Sequence, residues 1–107
     1  VRQYCINVLT KQFGYPKSAI AAEGQINPNS MTRRFDILVY DKALKPLLLV
    51  ECKRKEVKLT QQTIDQVVSY NFAIQAPYIM ITNSLTTYLI EYKDGEYAFL
   101  DTLPAYR

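Results

Sequence analysis

Residues 46–53 read Pro-Leu-Leu-Leu-Val-Glu-Cys-Lys, an apolar run that ends in a carboxylate and an ammonium two residues apart. A run this short, bounded by proline on one side and charge on the other, predicts a buried strand. Side chains alternate along a strand, so Leu47, Leu49, Glu51 and Lys53 share one face, and Leu48, Val50 and Cys52 the other. Both faces are apolar, so the strand belongs in the middle of a sheet covered on both sides. Glu51 and Lys53 then project from the edge of a hydrophobic core. Charge is costly there unless it is paired, hydrogen-bonded or bound to a metal.

A partner strand precedes it. Arg34 to Tyr40 is rich in β-branched and aromatic residues, and Asp41 to Pro46 is polar enough for a hairpin loop. Symmetric closure sets Tyr40 opposite Leu47, Asp36 opposite Glu51 and Arg34 opposite Lys53. Opposed residues on one face hold their Cβ atoms about 4.5–5.5 Å apart. Two carboxylates that close repel unless a positive charge sits between them, and a divalent cation on oxygen ligands is the natural candidate. Ala19 to Ile26 reads as a further strand, followed by the turn Asn27-Pro28-Asn29-Ser30. Closing that hairpin symmetrically sets Glu23 opposite Asp36 and makes a row of three carboxylates. The plainer reading of Glu23 is an exposed strand residue.

The remaining chain completes an α/β pattern. Val1 to Phe13 spaces its apolar residues helically, and Gly14 and Pro16 stop it. Thr60 to Gln75 predicts a second helix, with Thr60 as N-cap and Ile64, Val67, Val68, Asn71 and Phe72 on the core side. Gln66 and Tyr70 lie one turn apart, and Gln66 sits ~135° from the centre of the apolar face, near solvent. Tyr78 to Thr82 predicts a strand parallel to the 47–53 strand, reached by a right-handed crossover. Thr86 to Tyr92 and Tyr97 to Leu100 predict two more around the turn Lys93-Asp94-Gly95. The tail from Asp101 to Arg107 carries no pattern. A chain of 107 residues suits one domain with one core: a mixed sheet flanked by helices, ordered helix, three antiparallel strands, crossover helix, further strands.

Composition narrows the chemistry. Histidine is absent, which excludes His-based triads and His-ligated metal sites. Two cysteines, Cys5 and Cys52, make no disulfide framework. Cys52 reads as a free buried thiol in a reducing, intracellular compartment. No stretch approaches the ~18 apolar residues of a membrane span. A net charge of +3 permits nucleic-acid binding without arguing for it. Arg54, Lys55 and Lys58 follow the acidic pair directly, and Arg33 and Arg34 flank the same sheet end. They suit contact with nucleic-acid phosphates; the plainer alternative is a solvated loop.

Several features together resemble a known family. They are the opening helix ending in Gly14-Tyr15-Pro16, Glu23, Arg33-Arg34-Phe35-Asp36-Ile37-Leu38-Val39-Tyr40, Leu49-Val50-Glu51-Cys52-Lys53, Gln66-x-x-x-Tyr70 and Ile79-Met80-Ile81-Thr82-Asn83. This order is similar to the N-terminal nuclease domain of the type I restriction enzyme R subunit, within the PD-(D/E)xK nucleases. Phe35 stands where those nucleases often carry proline. The resemblance implies a restriction-endonuclease-like fold and a cytoplasmic, Mg²⁺- or Mn²⁺-dependent DNA endonuclease acting on double-stranded DNA. The partners it implies are motor, specificity and modification subunits. No G-x-x-x-x-G-K-[ST] phosphate loop is present, so no motor is expected within these residues. Asp36 and Glu51 are implied to hold the metal, with the Cys52 backbone carbonyl as third ligand. Lys53 is implied to orient water or stabilise the transition state, Gln66 to keep the site in register and Tyr70 to brace it. The rival reading is a catalytically silent module of the same fold that binds nucleic acid or a partner protein.

Overall fold

The computed structural model describes residues 2–25 and 34–107, without the side chains of residues 23–25 and 34. Arg33 and the turn at 27–30 lie outside the described residues, as do the side chains of Glu23 and Arg34. Helix α1 (Arg2–Asn7) continues as a π-helical turn (Val8–Gln12), and a short 3₁₀ turn follows at Lys17–Ala19. Six strands come next: β1 (Ile20–Gln25), β2 (Arg34–Tyr40), β3 (Pro46–Cys52), β4 (Tyr78–Thr82), β5 (Thr87–Lys93) and β6 (Glu96–Leu100). Helix α2 (Gln61–Ile74) joins β3 to β4. The strands lie in one mixed sheet in sequence order. Among the described strands only the β3–β4 pair is parallel, as a helical crossover requires.

β3 is central because both of its faces are apolar and need cover. Leu47, Leu48, Leu49 and Val50 are all at most 2 % exposed. One sheet face packs Ile37, Val39, Leu48, Val50 and Met80 under Cys5 and Leu9. The other packs Leu38, Leu49, Ile79, Ile81 and Ile90 under Ile64 and Val67 of α2. One departure from strict alternation occurs at the start of β3. Val39 faces Leu48 but Tyr40 faces Pro46, so Leu47 is the extra residue of a bulge. Leu47 therefore joins Leu48 on the α1 face rather than Leu49, contrary to the sequence reading. The 41–45 loop fixes this shift: Asp41 Oδ1 accepts from the Ala43 and Lys45 amides, each at 2.9 Å.

The helix ends follow their sequence signals. Phe13 N–H bonds Val8 O and Tyr15 N–H bonds Leu9 O, with Gly14 at φ +72° between them. That left-handed turn suits glycine. Thr60 caps α2 in a reciprocal pair with Thr63. Asp94 and Gly95 both carry positive φ, the two-residue hairpin turn expected there.

On α2 one expectation fails. Phe72, placed in the core by periodicity, is 73 % exposed, because the buried line of α2 is the narrower Ile64, Val67 and Asn71. The patternless tail is not idle. Leu103 is buried, Tyr15 Oη donates to Pro104 O at 2.7 Å, and Tyr106 Oη donates to Tyr40 O at 2.9 Å.

Asn71 is fully buried, and its amide both donates to Ala76 O at 2.8 Å and accepts from Ala76 N–H at 2.9 Å. Those two bonds close the turn from α2 into β4. Asn71→Ala leaves two buried backbone groups unpaired and should cost about 1–3 kcal/mol in urea unfolding. A change within experimental error would show that water replaces the amide there.

Candidate active site

The site forms where the sheet leaves its two covering layers. β2 and β3 keep their register from Val39–Leu48 through Ile37–Val50, and one further step sets Asp36 beside Glu51. The negative charge of Asp36 is felt at the Glu51 carboxyl. Across the other hairpin, Ala22 faces Ile37 and Gly24 faces Phe35, so the backbone register places Glu23 across from Asp36. The row of acidic positions over β1, β2 and β3 is therefore the one counted from the sequence.

Each member of the pair has a second contact. Asp36 Oδ2 accepts the Cys52 amide at 2.8 Å, which takes up a backbone donor at the end of β3. Lys53 Nζ lies 3.0 Å from Glu51 Oε2, with the two side chains 31 % and 13 % exposed. The Glu51 carboxyl is pushed above the usual glutamate range, first by burial, then by the negative charge of Asp36. Lys53 opposes that rise without cancelling it.

Past the site the chain turns into the basic loop. Lys53 N–H bonds Thr82 O at 2.8 Å, carrying the β3–β4 ladder one residue beyond β3. Arg54, Lys55 and Lys58 are exposed. The loop is held by Asn83, a residue to which sequence reasoning gave no role. Its Nδ2 donates to Val57 O at 2.7 Å, while its Oδ1 accepts from the Leu85 and Thr86 amides. The only sequence hint was an asparagine directly after an apolar strand.

Gln66 is exposed, as its wheel position predicts. Its flank of α2 can nevertheless be located. Gln61 donates to Tyr97 on β6, so that side of the helix faces β5 and β6. Thr63, Gln66 and Tyr70 lie on the opposite flank of the helix. Thr63 and Tyr70 are half-buried. The Gln66 side chain makes no hydrogen bond to Asp36, Glu51 or Lys53. Cys52 is partly exposed rather than buried, and its thiol turns to α1. A cavity of about 330 Å³ lined by Tyr4, Gln12, Met80, Thr82 and Asp101 opens on the α1 face and includes neither carboxylate.

A family model for the type I restriction enzyme R protein N terminus matches residues 1–104. The chain belongs to this family. No curated protein and no solved structure gives a significant match. No helix among the described residues is long and apolar enough to cross a membrane.

The donor set suits a hard divalent cation. Asp36 and Glu51 offer oxygen alone, and their mutual repulsion is what such an ion relieves. Among the described residues, no three His, Cys, Asp or Glu side chains converge on one point. Coordination from this chain would then rest on two carboxylates and a backbone carbonyl, with waters completing it.

The raised Glu51 pKa sets a pH signature. The folded state holds this proton more tightly than the unfolded state. Metal-free stability should therefore fall as pH rises from the unperturbed glutamate value through the raised one, and level off above it. Glu51→Gln should abolish that slope and match or exceed the wild-type melting temperature at neutral pH. Thermal melts in chelator across that range provide the check. A loss of several degrees in the variant at neutral pH would identify Glu51 as half of a stabilising ion pair with Lys53.

Proposed function

We propose that this chain is the nuclease domain of a type I restriction R protein, hydrolysing DNA phosphodiester bonds with Mg²⁺ or Mn²⁺. One observation carries the reading: two acidic residues set side by side by the β2–β3 register, with a lysine ammonium 3.0 Å from Glu51, at the partly exposed end of a buried strand. Family membership sets the context. The ion would be held by Asp36, Glu51 and the Cys52 carbonyl, and would supply Lewis-acid stabilisation of charge on the scissile phosphate.

The chain's own groups do the rest. Asp36 has two duties, since the oxygen that takes the Cys52 amide also fixes the carboxylate's orientation. Lys53 stands at the site as a mobile point charge. It leaves Glu51 for the phosphate and stabilises negative charge as it develops there. Gln66 holds the site in register from the α2 flank, and Tyr70 braces it. Arg54, Lys55 and Lys58, with Arg33 and Arg34, hold the phosphate backbone and place the duplex. Motor, specificity and modification subunits supply the site choice, for which no base-reading element is identifiable in this chain.

A silent DNA-binding module is the second reading, and the Lys53–Glu51 bridge is its support, because it already satisfies Glu51 without a metal. Plasmid cleavage in Mg²⁺ or Mn²⁺, run beside DNA binding at fixed salt, separates the two. Lys53→Ala should abolish cleavage, and Gln66→Ala should slow it roughly 10- to 1000-fold. Both variants should still bind DNA, since neither supplies most phosphate contacts. Wild-type cleavage by Lys53→Ala would remove the nuclease reading. Wild-type cleavage by Gln66→Ala would remove Gln66 alone.

A further inference from the structure

We propose that Cys5 and Cys52 form an oxidation site, a dithiol that closes into an intramolecular disulfide tying α1 to β3. The proposal needs neither a metal nor nuclease activity. The two Sγ atoms lie 2.8 Å apart, with the Cys52 thiol donating to Cys5 Sγ. A disulfide bond is about 2.05 Å long, so closure requires less than ~1 Å of movement. Both cysteines are free.

Their surroundings give each thiol a different part. Cys5 is fully buried under the α1 face of the sheet. Cys52 is partly exposed at the end of β3, where the core gives way to the charged site. A small peroxide therefore meets Cys52 first. The Cys52 sulfur attacks one peroxide oxygen, the O–O bond breaks, and one water leaves with a thiol proton. Cys52 is then a sulfenic acid. The Cys5 sulfur displaces the hydroxyl from Cys52 sulfur, and a second water leaves with the Cys5 proton. In total, two thiols and one hydrogen peroxide give one disulfide and two waters, with two electrons passing from the sulfurs to the peroxide. The pair thus works as a peroxidatic and a resolving cysteine, and the resolving step shields Cys52 from irreversible oxidation.

The bond would join residues 47 positions apart in sequence and fasten the first helix to the strand carrying Glu51. Cross-links over loops of that size restrict the unfolded chain strongly.

The test treats the reduced 107-residue chain with hydrogen peroxide, then follows intact mass, a non-reducing peptide map and thermal unfolding. The expected product has lost two hydrogens, yields a linked Cys5–Cys52 peptide, and melts on the order of 10 °C higher. Dithiothreitol should reverse all three changes. In Cys5→Ser, Cys52 has no resolving partner and should advance to the sulfinic acid. Four results in the wild-type chain would each overturn the proposal: sulfinic Cys52 beside an intact Cys5 thiol, cross-links between chains alone, full alkylation of both thiols after peroxide, or an unchanged melting temperature.

Discussion

Burial of β3 on both faces is the constraint from which the rest of the structure follows. Four consecutive side chains, Leu47 to Val50, are sealed from water, and a strand can achieve that only inside a sheet with a layer on each side. The supply of covering elements is short: α1 with its π-helical turn and the C-terminal tail on one face, α2 on the other. Cover thins past Val50, where Glu51, Cys52 and Lys53 are only partly buried. The chain changes from leucine and valine to glutamate and lysine at the point where cover runs out. The acidic site is thus a product of the core's boundary, and Asp36 marks the same boundary on β2.

This origin explains the electrostatics. Glu51 is deep enough for burial to be the largest influence on its carboxyl and close enough to Asp36 for repulsion to be the second. A fully buried pair would be protonated and inert toward cations, and a fully exposed pair would be screened by water. At the edge of the core the acidic pair remains open to a counter-ion. Lys53 meets part of that need at 3.0 Å, and its own partial exposure leaves it free to exchange partners.

The row of acidic positions was legible in the sequence because two hairpins keep regular registers where it matters. The Ala22–Ile37 and Ile37–Val50 pairings are those counted from symmetric loops. The same count failed at Tyr40, where the 41–45 loop, with Leu44 in a left-handed conformation, introduces the bulge that turns Leu47 over. Alternation carries no information about which loop absorbs an extra residue. Helical periodicity placed Gln66 at the surface but misplaced Phe72, because the buried amide of Asn71 anchors the turn to Ala76 and fixes the helix's rotation. The tail was opaque for a plainer reason. Pro104 is held through its carbonyl by Tyr15, and Tyr106 by Tyr40 O and the Tyr15 ring, rather than by a repeating pattern. The closeness of Cys5 and Cys52 is likewise a tertiary fact, set by where α1 crosses β3.

The central claim is that Asp36 and Glu51 make one cation site. Anomalous diffraction from crystals soaked in Mn²⁺ tests it without any assumption about catalysis. One strong peak should appear within bonding reach of both carboxylates in the wild-type protein and be lost in Asp36→Asn, which keeps an acceptor for the Cys52 amide. Clear density for Asp36, Glu51 and Lys53 with no peak between the carboxylates would contradict it, as would a peak that persists in Asp36→Asn.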